Sequence, residues 1–233
     1  WRFRTDGGVF SSPLVADGVA YVGSWDWNVY AVDVATGQEK WRFQTGDEVW
    51  SSPATDGETI FIGSDDGRLY ALDLETGEER WNFEADAAVT STPVIDQDTV
   101  YFGSFDTYLY ALDRSTGEFK WRFRTDASIL SSPAILGTAV YVGSHDGNLY
   151  AVDSRSGREL WRFATGDEVK SSPSIAGDTV VFGSFDGNVY GLDAKTGSEQ
   201  WRFQTRNHVF SSPVIGDGVV YIGSDDGHVY ALE

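Results

Sequence analysis

The 233-residue chain has no cysteine, no methionine, six prolines and three histidines, and only four of its 17 basic residues are lysine. Without cysteine there is no disulfide framework, no thiol nucleophile and no Cys-ligated metal. No stretch approaches the roughly 20 apolar residues of a membrane helix. There is no secretory leader, and with methionine absent the sequence reads as a processed or excised piece. Positive charge is also scarce: 36 acids outweigh the bases, for a formal net charge of -19. That surface repels phosphate backbones and anionic lipid, so neither nucleic-acid binding nor membrane insertion is expected. The same balance suits high salt, or serves solubility alone. Apolar and aromatic residues are plentiful, at 41% and 15%, enough for the core of one large all-β domain or two ordinary ones.

The abundant features repeat. WRF occurs at Trp1, Trp41, Trp121, Trp161 and Trp201 and WNF at Trp81, always 40 residues apart, and self-similarity at such a period is the signature of a repeat architecture. Each unit reads S-[ST]-P, an apolar run, G-S-x-D and [VL]-Y-[AG]-[VL]-[DE], followed in the first five units by [TS]-G. In the first unit this pattern predicts strands at 11–15, 19–23, 29–33 and 40–44, with tight turns between them. Four short strands per unit of this length is the period of a propeller blade. Ile60-Phe61-Ile62 is apolar on both faces, as a strand sandwiched between neighbouring blades requires. All six prolines (Pro13, Pro53, Pro93, Pro133, Pro173, Pro213) fall on the expected first strand. Proline cannot donate to a ladder, so that strand is read as the inner edge, beside a central channel where small serines fit. A WD-type propeller would carry Trp-Asp pairs, whereas these tryptophans precede Arg or Asn.

The expectation is an all-β, six-bladed propeller of four-stranded antiparallel blades, a single monomeric domain over 1–233. Its blades fall at about 9–45, 49–85, 89–125, 129–165, 169–205 and 209–233. The last unit stops after its third strand, Val229 to Glu233, while Trp1–Thr5 is an orphan fourth strand. Pairing the two would complete blade six and remove an unfinished edge.

Val142-Gly143-Ser144-His145-Asp146-Gly147-Asn148-Leu149-Tyr150-Ala151, with Ala71-Leu72-Asp73-Leu74-Glu75-Thr76-Gly77 continuing the pattern in another copy, resembles the repeat of the PQQ-like propellers. The resemblance spans all six units. Members of that family include quinoprotein dehydrogenases and outer-membrane assembly lipoprotein scaffolds, both resembling eight-bladed rings. The quinoproteins hold their quinone with a vicinal cysteine pair and a Ca²⁺ site; this chain has no cysteine and six units. The resemblance therefore implies a binding or scaffold member with no cofactor, and it implies that the WRF tryptophans dock neighbouring blades.

Residue chemistry gives little support to catalysis. Asp26, Asp66, Asp106, Asp146, Asp186 and Asp226 are equivalent copies, whereas a paired-carboxylate enzyme needs two groups tuned apart. An Asp at a hairpin turn accepts bonds from nearby amides instead. Asp33, Asp73, Asp113, Asp153 and Asp193, each ahead of a Thr-Gly or Ser-Gly turn, read the same way. The Ser11-type hydroxyls have no histidine at a fixed offset, so a Ser-His-Asp constellation is unsupported. Asp65-Asp66-Gly67 and Asp225-Asp226-Gly227 lack the remaining ligands of a calcium loop. His208 and His228 with Asp225 could make a His₂-carboxylate metal site, but lone surface histidines are commoner and no metal is expected.

The units differ from one another mainly at one end, called the top. At its centre fall Phe10, Trp50, Thr90, Leu130, Lys170 and Phe210, and around them Trp25, Asp65, Phe105, His145, Phe185 and Asp225. Trp27 and Tyr108 are read as replacing the turn glycine of the other units. Large aromatics at solvent-facing turns mark contact surfaces, although relaxed drift of loops would also vary them. Phe210, Phe10, Trp25, Trp27 and Trp50 place five large rings on three consecutive blades, flanked by Asp65 and Asp225. The expected function is a non-enzymatic binding or scaffold propeller, engaging a protein, peptide or small molecule at the top face. The alternatives are a quinoprotein-like enzyme with a top-face pocket, and a sequence built or trimmed as a repeat scaffold.

Overall fold

A computed structural model describes all residues from Trp1 to Glu233. It contains 23 β-strands and no helix, arranged as five four-stranded sheets and one three-stranded sheet, each an up-and-down meander. These are the six blades. In the first, the strands are Leu14–Ala16, Val19–Gly23, Asn28–Asp33 and Glu39–Gln44, paired antiparallel throughout. The chain divides into two compact units, Trp1–Asp106 with Leu112–Lys120, and Thr107–Ala111 with Trp121–Glu233; the division cuts through the third blade.

The first strand of each blade begins later than its sequence suggests. Ser11, Ser12 and Pro13 precede the ladder, which starts at Leu14, and the shift recurs at Pro53, Pro133, Pro173 and Pro213. Proline supplies no N–H and ends the ladder on its own side. The serines form cross-links between neighbouring copies instead: Ser12 N–H donates to Ser52 Oγ at 2.8 Å and Ser51 Oγ to Ser91 O at 2.9 Å. In the second unit, Ser132 and Ser172 N–H donate to Ser172 and Ser212 Oγ.

Second and third strands form the core. Ile60, Phe61, Ile62, Leu69, Ala71 and Leu72 are wholly buried, covered on both sheet faces as their continuous apolar runs require. Fourth strands alternate, with tryptophan and phenylalanine turned inward and arginine outward. A bulge recurs beside the fourth-strand tryptophan in four blades, between Ala31 and Val32 in the first and at the matching residues of three others, and re-aims the strand locally.

The tryptophans join copy to copy. Trp41 Nε1 donates to Leu74 O at 3.1 Å, across the turn where Gly77 has φ 73°. A Cβ on Gly77 would lie 2.6 Å from the Trp41 ring, so glycine answers both a backbone and a packing need. Trp81, Trp121 and Trp161 repeat this bond onto Arg114, Ser154 and Ala194, each 33 residues on. The preceding Asp fixes the turn, as expected: Asp33 Oδ1 accepts from Thr36 N and Oγ1, both at 2.7 Å.

Residues 1–5 make the docking contacts of a fourth strand without being one. Trp1 Nε1 donates to Val34 O at 2.8 Å and Phe3 meets Tyr30 edge-on at 5.2 Å, as Trp41 and Phe43 do in the next copy. They do not join a sheet, however, and the sixth sheet has three strands whose last, His228–Leu232, pairs only with Val219–Ser224. Val229 is accordingly 77% exposed, against 0% for its counterparts Val29 and Val189.

Candidate binding surface

The turn aspartates hold the scaffold on which the variable residues stand. Asp66 Oδ2 accepts from Tyr70 OH at 2.6 Å and from Gly46 N–H at 2.7 Å, and its Oδ1 accepts from Arg68 N–H at 2.9 Å. One carboxylate thus ties its own third strand to the loop arriving from the previous blade. Asp26, Asp146, Asp186 and Asp226 repeat the arrangement. For Asp26, Asp146 and Asp186 burial opposes ionisation, but the hydrogen bonds outweigh it and hold the carboxyl below its ordinary range. The donors of the same contact are pushed the other way: burial and the facing carboxylate raise Tyr30 and Tyr70 to about 12. The residue before each aspartate is clamped by its own amide. Trp25 N–H donates to Gly8 O, Asp65 to Glu48 O and Phe105 to Ala88 O, all at 2.9 Å. Each variable turn residue is thereby set beside the variable residue that leads into its own first strand.

In the first unit this geometry assembles a cluster. Phe10 and Trp25 stack at 4.1 Å with 9° between their planes, Trp25 lies 4.4 Å from Trp50, and Phe10 lies 5.2 Å from Trp50. Phe10 is 62% exposed and Trp50 38%, so the cluster faces solvent. Trp50 Nε1 donates to Glu48 Oε2 at 3.0 Å. Three side-chain atoms in this region are enclosed and have no hydrogen-bond partner: Trp25 Nε1, Asp65 Oδ1 and Thr90 Oγ1. Burial, joined by the negative charges of Asp47, Glu48 and Asp66, pushes the Asp65 carboxyl up to about 6.

The second unit holds a different group. Lys170 Nζ lies 4.3 Å over the Phe185 ring while pairing with Glu168 at 2.6 Å. Phe185 also meets His208 at 4.9 Å and Phe210 at 6.0 Å. Burial lowers the His145 pKa. Asp225 is exposed, and its backbone N–H donates to His208 O at 2.9 Å.

Several sequence expectations need correcting. The residue replacing glycine in the third copy is Thr107 (φ 79°), not Tyr108; Trp27 does replace it, at φ 69°. Tyr108 starts the third strand, under the Arg122 guanidinium at 4.1 Å. Trp27 is exposed; its carbonyl serves the scaffold by accepting from Thr45. Phe10, Trp25 and Trp50 come together in the first unit, and Phe210 lies beside Phe185 in the second. The two histidines, for which no metal is expected, make separate contacts: His208 Nδ1 faces Phe185 O, and His228 Nδ1 lies 3.0 Å from Asp226 Oδ1. No group of three or more potential ligands is present. Glu48 was missed as a residue of the cluster; its signal was its place two residues before Trp50.

A family model described as outer membrane protein assembly factor BamB matches residues 1–52, 26–169 and 145–233. The crystal structure of BamB from Moraxella catarrhalis matches with a TM-score of 0.87 and 22% identity, over 100% of this chain and 76% of that one. The computationally designed Ika8 protein matches with a TM-score of 0.86 and 19% identity, over 96% of this chain and 70% of that one. At such identities the two structures share the fold alone. No curated protein sequence matches. With six blades of the same repeat and a family match running from end to end, the chain belongs to the PQQ-like β-propeller family of the assembly factor BamB.

Proposed function

We propose that this propeller is a non-catalytic interaction module and that the Phe10–Trp25–Trp50 cluster holds a peptide segment of a partner protein. The carrying observation is the cluster itself, three large rings within 5.2 Å of one another. The WRF tryptophans Trp41 and Trp121, by contrast, are buried and hydrogen-bonded to the next copy. Rigid aromatic side chains bury much area at low entropic cost and dominate contact energy. The family's description as an assembly factor favours a protein partner over a metabolite. Against catalysis stands the equivalence of the turn carboxylates, which are occupied by backbone and tyrosine donors. The test is selection from a phage library of random peptides on the immobilised chain, followed by titration of the enriched peptides. Trp25→Ala with Trp50→Ala should weaken binding by at least about tenfold while Tm moves by less than about 4 °C. Failure to enrich any peptide overturns the reading, as does a large stability loss in the double variant, which would make these rings packing.

A further inference from the structure

The unpartnered polar atoms in the first unit belong to adjacent copies. Trp25 contacts the position-10 ring of its own copy and the position-50 ring of the next. Asp65 stands 40 residues on, held by the equivalent amide bond, so the repeat places it between Trp50 and Thr90. Buried polar groups in folded proteins are nearly always satisfied, and the neighbouring Asp66 accepts three bonds. Here, in successive copies, one carboxylate oxygen, one hydroxyl and one indole N–H are enclosed and satisfied by no protein atom.

Their chemistry defines a complement. An anionic acceptor next to an indole face selects a cation that also stacks. The charges acting on Asp65 are all negative: Asp47, Glu48 and Asp66. Asp66 is already occupied, whereas Asp65 Oδ1 is enclosed and accepts no bond; a single such carboxylate suits an organic cation and supplies too few donors for a metal shell. A guanidinium fits better than an ammonium, because its planar fork reaches two acceptors at once and stacks on indole. The indole N–H of Trp25, a donor only, asks for a carbonyl, which a peptide backbone supplies.

We infer that Trp50, Asp65 and Thr90 form a subsite for an arginine side chain of the bound segment, with Trp25 Nε1 donating to a backbone carbonyl of that segment. This rests on the peptide-binding reading above and adds the chemistry of one anchor. The other copies do not reproduce it: the positions equivalent to Asp65 carry Trp25, Phe105, His145, Phe185 and the exposed Asp225.

The test titrates three blocked tripeptides into the whole chain, acetyl-Gly-X-Gly-amide with X as arginine, citrulline or lysine, and follows tryptophan emission. Arginine should bind at least about tenfold more tightly than its neutral isostere citrulline, with lysine between them. Asp65→Asn should remove the preference, bringing arginine down to the citrulline level. Between about pH 7 and about pH 5 the arginine affinity should fall about tenfold as Asp65 takes up its proton, while citrulline binding and the Asp65→Asn variant stay flat. Equal binding of arginine and citrulline, or no binding of the arginine peptide at about 10 mM, overturns the inference. If library peptides without basic residues bind, and are lost with Trp25→Ala and Trp50→Ala but not with Asp65→Asn, the peptide surface stands and the arginine subsite falls.

Discussion

Asp65 and Asp66 are chain neighbours in one turn, and their removal should shift stability in opposite directions. Asp65 is half-buried among like charges, and its titration moves from 3.8 to about 6. At about 1.4 kcal/mol per unit this is about 3 kcal/mol of unfavourable ionisation, which partial solvent access cuts to about 1 kcal/mol. The sign follows from proton binding. Between about pH 4 and about pH 6 the folded state holds this proton more tightly than the unfolded chain, so stability falls as pH rises through that window and stays lower above it. Asp65→Asn removes the deficit and should raise stability at pH 7 by about 1 kcal/mol, with the gain vanishing near pH 4. Asp66 is the reverse case. Its carboxylate accepts from Tyr70, Gly46 and Arg68, and an amide in its place turns an NH₂ towards one of those donors. Hydrogen bonds to a charged group contribute about 1.5–3 kcal/mol each, so Asp66→Asn should lose about 2–3 kcal/mol at pH 7. Urea unfolding followed by tryptophan fluorescence reads both variants. Two losses would show that the Asp65 oxygen is satisfied in solution, and the reasoning behind the subsite would fail with it.

Deleting residues 1–5 removes the Trp1–Val34 bond and the Phe3–Tyr30 contact. If these residues also complete blade six, the loss should reach about 3 kcal/mol, or about 6–12 °C in Tm, and amide protection on His228–Leu232 should disappear; equal melting and exchange in both chains refutes closure by this segment. With a net charge of -19, Tm should rise from about 0.01 M to about 1 M of a non-specific salt as screening shortens from about 30 Å to about 3 Å, and a flat or falling curve removes the reading of the acidic surface as a high-salt adaptation.

The sequence disclosed the fold because the physics that sets it repeats. A tryptophan every 40 residues needs a carbonyl and a glycine 33 and 36 residues on, and in the structure Trp41 finds both at Leu74 and Gly77. The turn aspartates were legible for the same reason: the identical carboxylate recurs beside the identical tyrosine. Proline is less informative about strand bounds, since its missing N–H marks where the ladder starts, at Leu14 after Pro13, and not a residue inside it. The site was less legible. Sequence copies identified which positions vary, and Trp25, Trp50 and Phe10 stood among them, but nothing in the pattern distinguished a ring that joins a cluster from one that faces solvent alone. Trp27 and Trp25 are two residues apart in one turn. The first takes the left-handed backbone of a glycine, at φ 69°, and is exposed; the second is pinned by Gly8 and stacks on Phe10.

Loop drift and selection for contact both vary residues at the same positions, and burial separates them. Drifting residues at a turn are free to go to solvent, where a polar group costs nothing. At Trp25, Asp65 and Thr90 polar atoms are enclosed without a partner, an arrangement that costs stability and that any drift towards smaller or exposed residues would relieve. Asp225 has the same repeat position as Asp65 and is exposed, in the blade with three strands, whereas His145 Nε2 at that position in another copy is enclosed. Local rules that fail together in adjacent copies are expected at functional sites, and the proposed subsite rests on that expectation. The failure falls where aromatic area, negative charge and unsatisfied hydrogen-bonding capacity coincide, and a stacked guanidinium on a peptide chain would relieve all three.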